Sequence, residues 1–133
     1  MSHENVELVR TFMVAANRRE FETMDRLIGE DLVFHSTFAA SEGRVFAGHG
    51  GLREYFKSLE GSFEDLALPV EDIIDAGDDQ VLLLVRVCGR GKASGIGVEQ
   101  RFGQVWTIVD GLVREIVSYP DPDDAFKAAG LPG

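Results

Sequence analysis

Apolar residues recur along this chain with two periods, one helical and one of strands. From Asn5 to Asn17, Val6, Val9, Phe12, Met13 and Ala16 lie three and four apart, which puts them on one face of a helix. Ser2 is expected to cap this helix, and Glu4 and Glu7 sit near its start, where the dipole favours negative charge. A second stripe begins after Arg18-Arg19 with Phe21, Met24, Leu27 and Ile28, and Gly29 reads as its C-cap. Leu32 to Phe38 alternates as a strand, with Phe34 and Ser36 on one face and Val33 and His35 on the other. Ser41 to Gly51 holds four glycines and reads as loop, with a short extended piece at Arg44 to Ala47. Leu52, Tyr55, Phe56 and Leu59 then return to helical spacing, up to Gly61.

The second half of the chain is written for strands. Leu66 to Asp75 is expected to form one strand, with Pro69 at an edge or bulge. Gly77-Asp78-Asp79 turns the chain into Gln80 to Cys88, where Val81, Leu83, Val85 and Val87 share one face and Leu82, Leu84 and Arg86 the other. Both faces are largely apolar, so this strand is expected to be covered on both sides. Gly89 to Gly97 connects it to the strongest local signal in the chain, Val98 to Tyr119, in which two apolar arms flank Asp110-Gly111. Asp-Gly supplies the positive φ angles of a two-residue type I′ turn, so a β-hairpin is expected. On its first arm Gln100, Phe102, Gln104, Trp106 and Ile108 share a face, and Glu99, Arg101, Gly103, Val105 and Thr107 share the other. Pro120 and Pro122 end the second arm, and Asp123 to Ala129 makes a short helix. This order predicts an α+β fold, with the helices grouped on one side of an antiparallel sheet.

Length and composition narrow the setting. The 133 residues suit one domain over 1–133, large enough to fold on its own core. Thirteen Lys and Arg against twenty-three Asp and Glu give a net charge of -10, which disfavours nucleic acid and anionic membrane as partners. A lone cysteine, Cys88, forms no internal disulfide, and the start MSHENVELVR lacks the pattern of a signal peptide, so a cytoplasmic protein is expected. The longest apolar run, Val81 to Val85, is far short of the roughly twenty residues of a membrane helix. The histidines His3, His35 and His49 have no metal-ligand spacing, and the glycine segments GHGG and GRGKASGIG lack the context of a phosphate loop, so no metal and no cofactor are expected.

Three stretches, NVELVRTFMVAANRREFETMDRLIGEDLVFH, FAGHGGLREYF and VEQRFGQVWTIVDGLVREIVSY with the trailing DDAFKAAGL, resemble in order and spacing the SnoaL-like polyketide cyclases. These lie in the superfamily of nuclear transport factor 2 and ketosteroid isomerase. The resemblance implies a cone-shaped, curved antiparallel sheet closed by the N-terminal helices (a cystatin-like α+β barrel), a pocket inside the cone, and a homodimer through the outer sheet face. Ketosteroid isomerases use a carboxylate base with a tyrosine and a protonated aspartate as oxyanion hole. By element spacing these positions fall here on Ser36, Phe12 and Gln104, so steroid isomerisation by that mechanism is not expected. The cyclases of this group use a histidine or aspartate near the site of Gln104, and no inward-facing Asp-Arg-Asp set of the limonene epoxide hydrolase kind is visible.

The resemblance implies a pocket lined by Phe12, Phe34, Ser36, Tyr55, Phe56, Phe102, Gln104, Trp106, Ile116 and Ser118. Aromatics at these spacings also suit a filled core, and the sequence leaves both open. Gln104 favours a pocket, because a buried amide needs partners that a ligand or water can supply. Replacing it by Leu is then expected to hold or raise stability. His35 and Gln104 are the candidate catalytic residues. Alternation places His35 opposite Phe34 and Ser36, a placement that only a β-bulge would reverse. Arg86, Glu99, Arg101 and Glu115 fall on the outer face beside Leu82, Leu84 and Val105, an arrangement that suits ion pairing across a two-fold axis. The expected function is a homodimeric, cofactor-free domain that binds a small ligand of low polarity. The competing readings are an acid/base isomerase, cyclase or hydrolase, and a structural or protein-interaction module.

Overall fold

The computed structural model describes residues 2–37 and 43–132, with Ser2 described in its backbone only. Helix α1 (Ser2–Arg18) buries the predicted stripe of Val9, Phe12, Met13 and Ala16. It includes Ser2 as a helical residue; the side chain expected to cap it lies outside the described residues. Arg19, at φ 58°, turns the chain into α2 (Phe21–Leu27), whose one buried residue is Met24. The chain then passes straight into strand β1 (Ile28–His35), so Gly29 is a strand residue and not a helix cap. Its lack of a side chain serves another purpose: a Cβ there would meet both members of the Asp31–Arg114 ion pair. The expected end of this strand at Phe38 and the start of the next loop at Ser41 lie outside the described residues.

Short strand β2 (Val45–Ala47) runs directly into α3 (Gly48–Ser62), so three of the glycines expected in a loop stand in the first helical turn. Gly48 takes φ +68° to reverse the chain, and a Cβ on Gly51 would come within 2.9 Å of the Phe46 backbone. Close approach of β2 and α3 thus explains Gly51, and a positive φ explains Gly48, where composition alone assigns a loop. The predicted strand from Leu66 to Asp75 is two strands, β3 (Phe63–Ala67) and β4 (Val70–Gly77), broken at Leu68-Pro69. Proline has no N–H for the ladder, and Asn17 takes over at the break. Its side chain receives the Leu68 N–H at 2.8 Å and donates to the Leu68 carbonyl at 2.9 Å.

Both pieces pair antiparallel with β5 (Gln80–Gly91), which pairs in turn with β6 (Gly97–Val109), and β6 with β7 (Leu112–Tyr119). Asp110 and Gly111, at φ 55° and 73°, form the expected turn, and Asp78 and Asp79 a second one of the same hand. The sheet runs β2-β1-β7-β6-β5-β3 with β4 also beside β5. It curls into a half-barrel around the helices. It is not purely antiparallel, because β1 and β7 pair in parallel.

Inside the curl lies the main core, where Val81, Leu83, Val85 and Val87 meet α1 and α3. A second, smaller core lies outside. There α4 (Pro122–Ala128), capped by the Asp121 side chain on the Asp123 N–H, lays Ala125 over Leu82 and Val105. The helices therefore do not all lie on one side: α4 covers the apolar patch on the outer face from within the same chain. Gly103 makes this possible, since a Cβ there would collide with Ala125. The outer charges also pair within the chain. The register shifts between Val70 and Asp72, a bulge that releases Glu71 from the alternation. Glu71 accepts from Arg101 at 2.8 Å and approaches Arg86 at 3.8 Å, while Arg86 donates to Glu99 at 2.8 Å. The two arginines stand opposite each other on β5 and β6, and the carboxylates offset their repulsion.

Candidate functional site

A cavity of about 50 Å³ remains between the helices and the inner face of the sheet. Helix α1 contributes Phe12 and Met13 to its walls and α3 contributes Leu52, Tyr55 and Phe56, each from a buried stripe that helical spacing had to turn inward. The sheet contributes Phe34, Val85, Val87, Phe102, Trp106 and Ile116, with Gln104 and Ser118 as polar members. Strand register sets them side by side, with Phe34 and Trp106 both opposite Ile116, and Gln104 opposite Ser118. The aromatic rings meet edge to face, Phe12 on Trp106 at 5.0 Å between centroids and Phe34 on Tyr55 at 4.7 Å.

The polar groups form an ordered row. The Trp106 Nε1–H donates to Gln104 Oε1 at 3.0 Å, and Gln104 Nε2 donates to Ser118 Oγ at 2.7 Å. An indole nitrogen can only donate, so the atom facing it must be the amide oxygen, and the amide nitrogen is thereby turned to Ser118. Tyr55 is hydrogen-bonded to Ser36, which is buried beside the cavity without lining it. Burial pushes the Tyr55 hydroxyl up to about 12, and the bond from Ser36 offsets only part of that, so Tyr55 is a neutral phenol at physiological pH. Among the described lining residues no Asp, Glu, His, Lys, Arg or Cys appears. The arrangement can hydrogen-bond a neutral group; an amide and hydroxyls of this kind do not accept a proton from carbon near neutral pH.

The structure thus brings nine of the ten expected pocket residues together, with Ser36 one step behind Tyr55. It does not bring His35 to them. The β1 register is regular from Val33 to His35, the bulge lies earlier in the strand, and His35 faces outward with Nε2 3.5 Å from Glu115. An acid/base role for His35 in the cavity therefore has no geometric basis. His49 Nε2 lies 3.2 Å from the Ile28 carbonyl and ties the start of α3 to β1. No group of three His, Cys, Asp or Glu side chains gathers into a metal-like cluster among the described residues. Met13, Leu52, Leu68, Val85 and Val87 also line the cavity and were not singled out from the sequence. Alternation on β5 and the stripes of α1 and α3 carried a signal for four of them. Leu68, at the break before Pro69, carried none.

The model of the SnoaL-like domain family matches residues 9–116. The chain belongs to the SnoaL-like domain family. No curated protein matches this SnoaL-like domain in sequence. Among solved structures, Bal32a from a soil-derived mobile gene cassette is similar at a TM-score of 0.81 and 17% identity, covering 89% of both chains. TerC, co-crystallised with polyporic acid, is similar at 0.75 and 16% identity, with 96% of this chain and 98% of TerC covered. RV0760c from Mycobacterium tuberculosis, in complex with estradiol-17beta-hemisuccinate, is similar at 0.73 and 13% identity, with 90% and 95% covered. At these identities the likeness establishes the fold, and residue roles rest on this chain's own geometry. No described helix is long and apolar enough to cross a membrane.

Proposed function

We propose that this SnoaL-like domain binds a small molecule of low polarity in the cavity between the helices and the sheet, and that it does so without acting as an acid/base catalyst. The observation that carries this reading is the Trp106–Gln104–Ser118 row: a polar strip fixed in place on one wall of an otherwise apolar cavity. Fold relatives crystallised with small molecules support it. A thermal-shift screen of small hydroxyl and carbonyl compounds tests it. Compounds that raise the melting temperature of the native protein should lose their effect on Val85→Phe, which fills the cavity from β5. If no compound stabilises the native protein, the cavity is a packing void and the structural-module reading replaces this one.

We further infer a homodimer, in a cytosolic setting that suits the single thiol Cys88. The outer face beyond α4 supports it, since Val33, Val117 and Thr107 stay half-exposed there on neighbouring strands. Sedimentation at micromolar concentration should show a dimer; a monomer alone would overturn it.

A further inference from the structure

Charge, hydrogen-bonding capacity and size together narrow the occupant of this cavity, and the narrowing rests on the binding reading above. No charged side chain lines the cavity among the described residues, so a carboxylate or ammonium group entering it would lose its hydration with nothing to pair with. The occupant is therefore uncharged. The polar row still has capacity after its internal bonds are counted. Gln104 uses one N–H on Ser118 and one lone pair on Trp106, which leaves it a second N–H and a second lone pair. Ser118 accepts from Gln104 and keeps its own proton to give. These free groups lie together on the sheet wall. Away from this row the cavity offers only the Tyr55 hydroxyl, already bonded to Ser36, while Met13, Leu52, Phe56 and Leu68 offer no polar group. A ligand with one polar group is satisfied by the row, and a second polar group that points away from both the row and Tyr55 would be left unpaired.

Size sets the remaining limit. At about 50 Å³ the cavity has a third of the space of a dry cavity of about 150 Å³ that accepts benzene. One ring fits if a wall yields, and fused rings do not. The wall built to yield is Met13, an unbranched thioether that separates the cavity from a groove of about 470 Å³ between α1 and β4 lined by Val14, Asn17 and Val70.

We propose that the ligand is a neutral, single-ring compound with one hydroxyl or carbonyl group, bound by Gln104 and Ser118, and that Met13 sets the limit on its size. Calorimetric titration near pH 7 with phenol, toluene, benzoate and 2-naphthol tests this on the native protein and on Met13→Ala. Phenol should bind roughly tenfold more tightly than toluene, the worth of one satisfied hydrogen-bonding group. Benzoate, charged at this pH, should bind at least about 100-fold more weakly than phenol. On Met13→Ala, 2-naphthol should gain at least about tenfold over the native protein, since removing buried side-chain methylenes opens space of that order. Benzoate within about threefold of phenol would overturn the requirement for neutrality. Toluene equal to phenol would overturn the polar handle, and 2-naphthol equal to phenol on the native protein would overturn the size limit. Each of these still shows an occupied pocket. If none of the four binds either protein, the binding reading falls and this proposal with it. The ranking on the native protein decides charge and ring count even if Met13→Ala does not fold.

Discussion

Replacing Gln104 by Leu separates a structural amide from a dispensable one. The side chain sits between two partners in a site with little water, and Trp106, whose indole donates to it, is 1% exposed. Leucine has a similar shape but neither accepts nor donates. The Trp106 N–H would then be buried without an acceptor, at a cost of about 1–3 kcal/mol. The Ser118 hydroxyl also loses its donor, a smaller loss because a hydroxyl can rotate toward another group. Added apolar burial returns less than about 1 kcal/mol, since the position is already mostly covered. The net expectation is a loss of roughly 1–3 kcal/mol. For a chain of 133 residues, an unfolding entropy of about 2.1 cal/mol/K per residue turns each kcal/mol into about 3 to 4 °C. The melting temperature should therefore fall by roughly 3–10 °C. This reverses the expectation drawn from sequence, in which an unpartnered amide made Leu neutral or favourable. Calorimetry or denaturant titration measures the change, and a double-mutant cycle with Trp106→Phe locates its source. With the indole N–H already gone, Gln104→Leu should cost about 1 kcal/mol less than in the native background. A Gln104→Leu protein as stable as the native one, or an equal cost in both backgrounds, would refute the account of this row.

Two further outcomes follow from the geometry. Tyr55 has a folded-state pKa of about 12 against an ordinary value of 10.0, so the unfolded chain releases this proton first as pH rises. Its contribution is intact below pH 10 and fades between 10 and 12, a loss of about 2 kcal/mol. Urea titrations across this range should show that loss in the native protein and not in Tyr55→Phe; parallel curves would contradict the assignment. Gly103→Val should drive α4 off the outer face, because its Cβ would collide with Ala125. Stability should drop by about 1–3 kcal/mol, and limited proteolysis should cut near α4 first. An unchanged midpoint with α4 still protected would mean that the helix is not seated as described.

The sequence by itself determined the elements whose signal is local. The Asp110-Gly111 hairpin, the two faces of β5 and the stripes of α1 and α3 follow from turn chemistry and from periods of two and 3.6, and these need no knowledge of distant residues. They also bring Phe12, Tyr55, Phe56, Phe102, Gln104 and Trp106 to one cavity, because the stripes of α1 and α3 are buried against the same inner face of the sheet. What the sequence could not decide was pairing between distant segments. The parallel contact of β1 with β7, the split of one apolar run into β3 and β4, and the seating of α4 on the outer face depend on residues far apart in the chain. Glycines show the difference most plainly. Gly111 is legible as a turn, whereas Gly29, Gly51 and Gly103 are small because of the side chain or backbone that packs against each. The same holds at the site. The sequence placed Gln104 on the inner face by alternation, but only the register that sets it opposite Ser118, with Trp106 two residues along, decided that its amide is held by the fold. Alternation had already turned His35 outward, but only the pairing of β1 with β7 put Glu115 beside it, and only packing between elements limited the cavity to about 50 Å³.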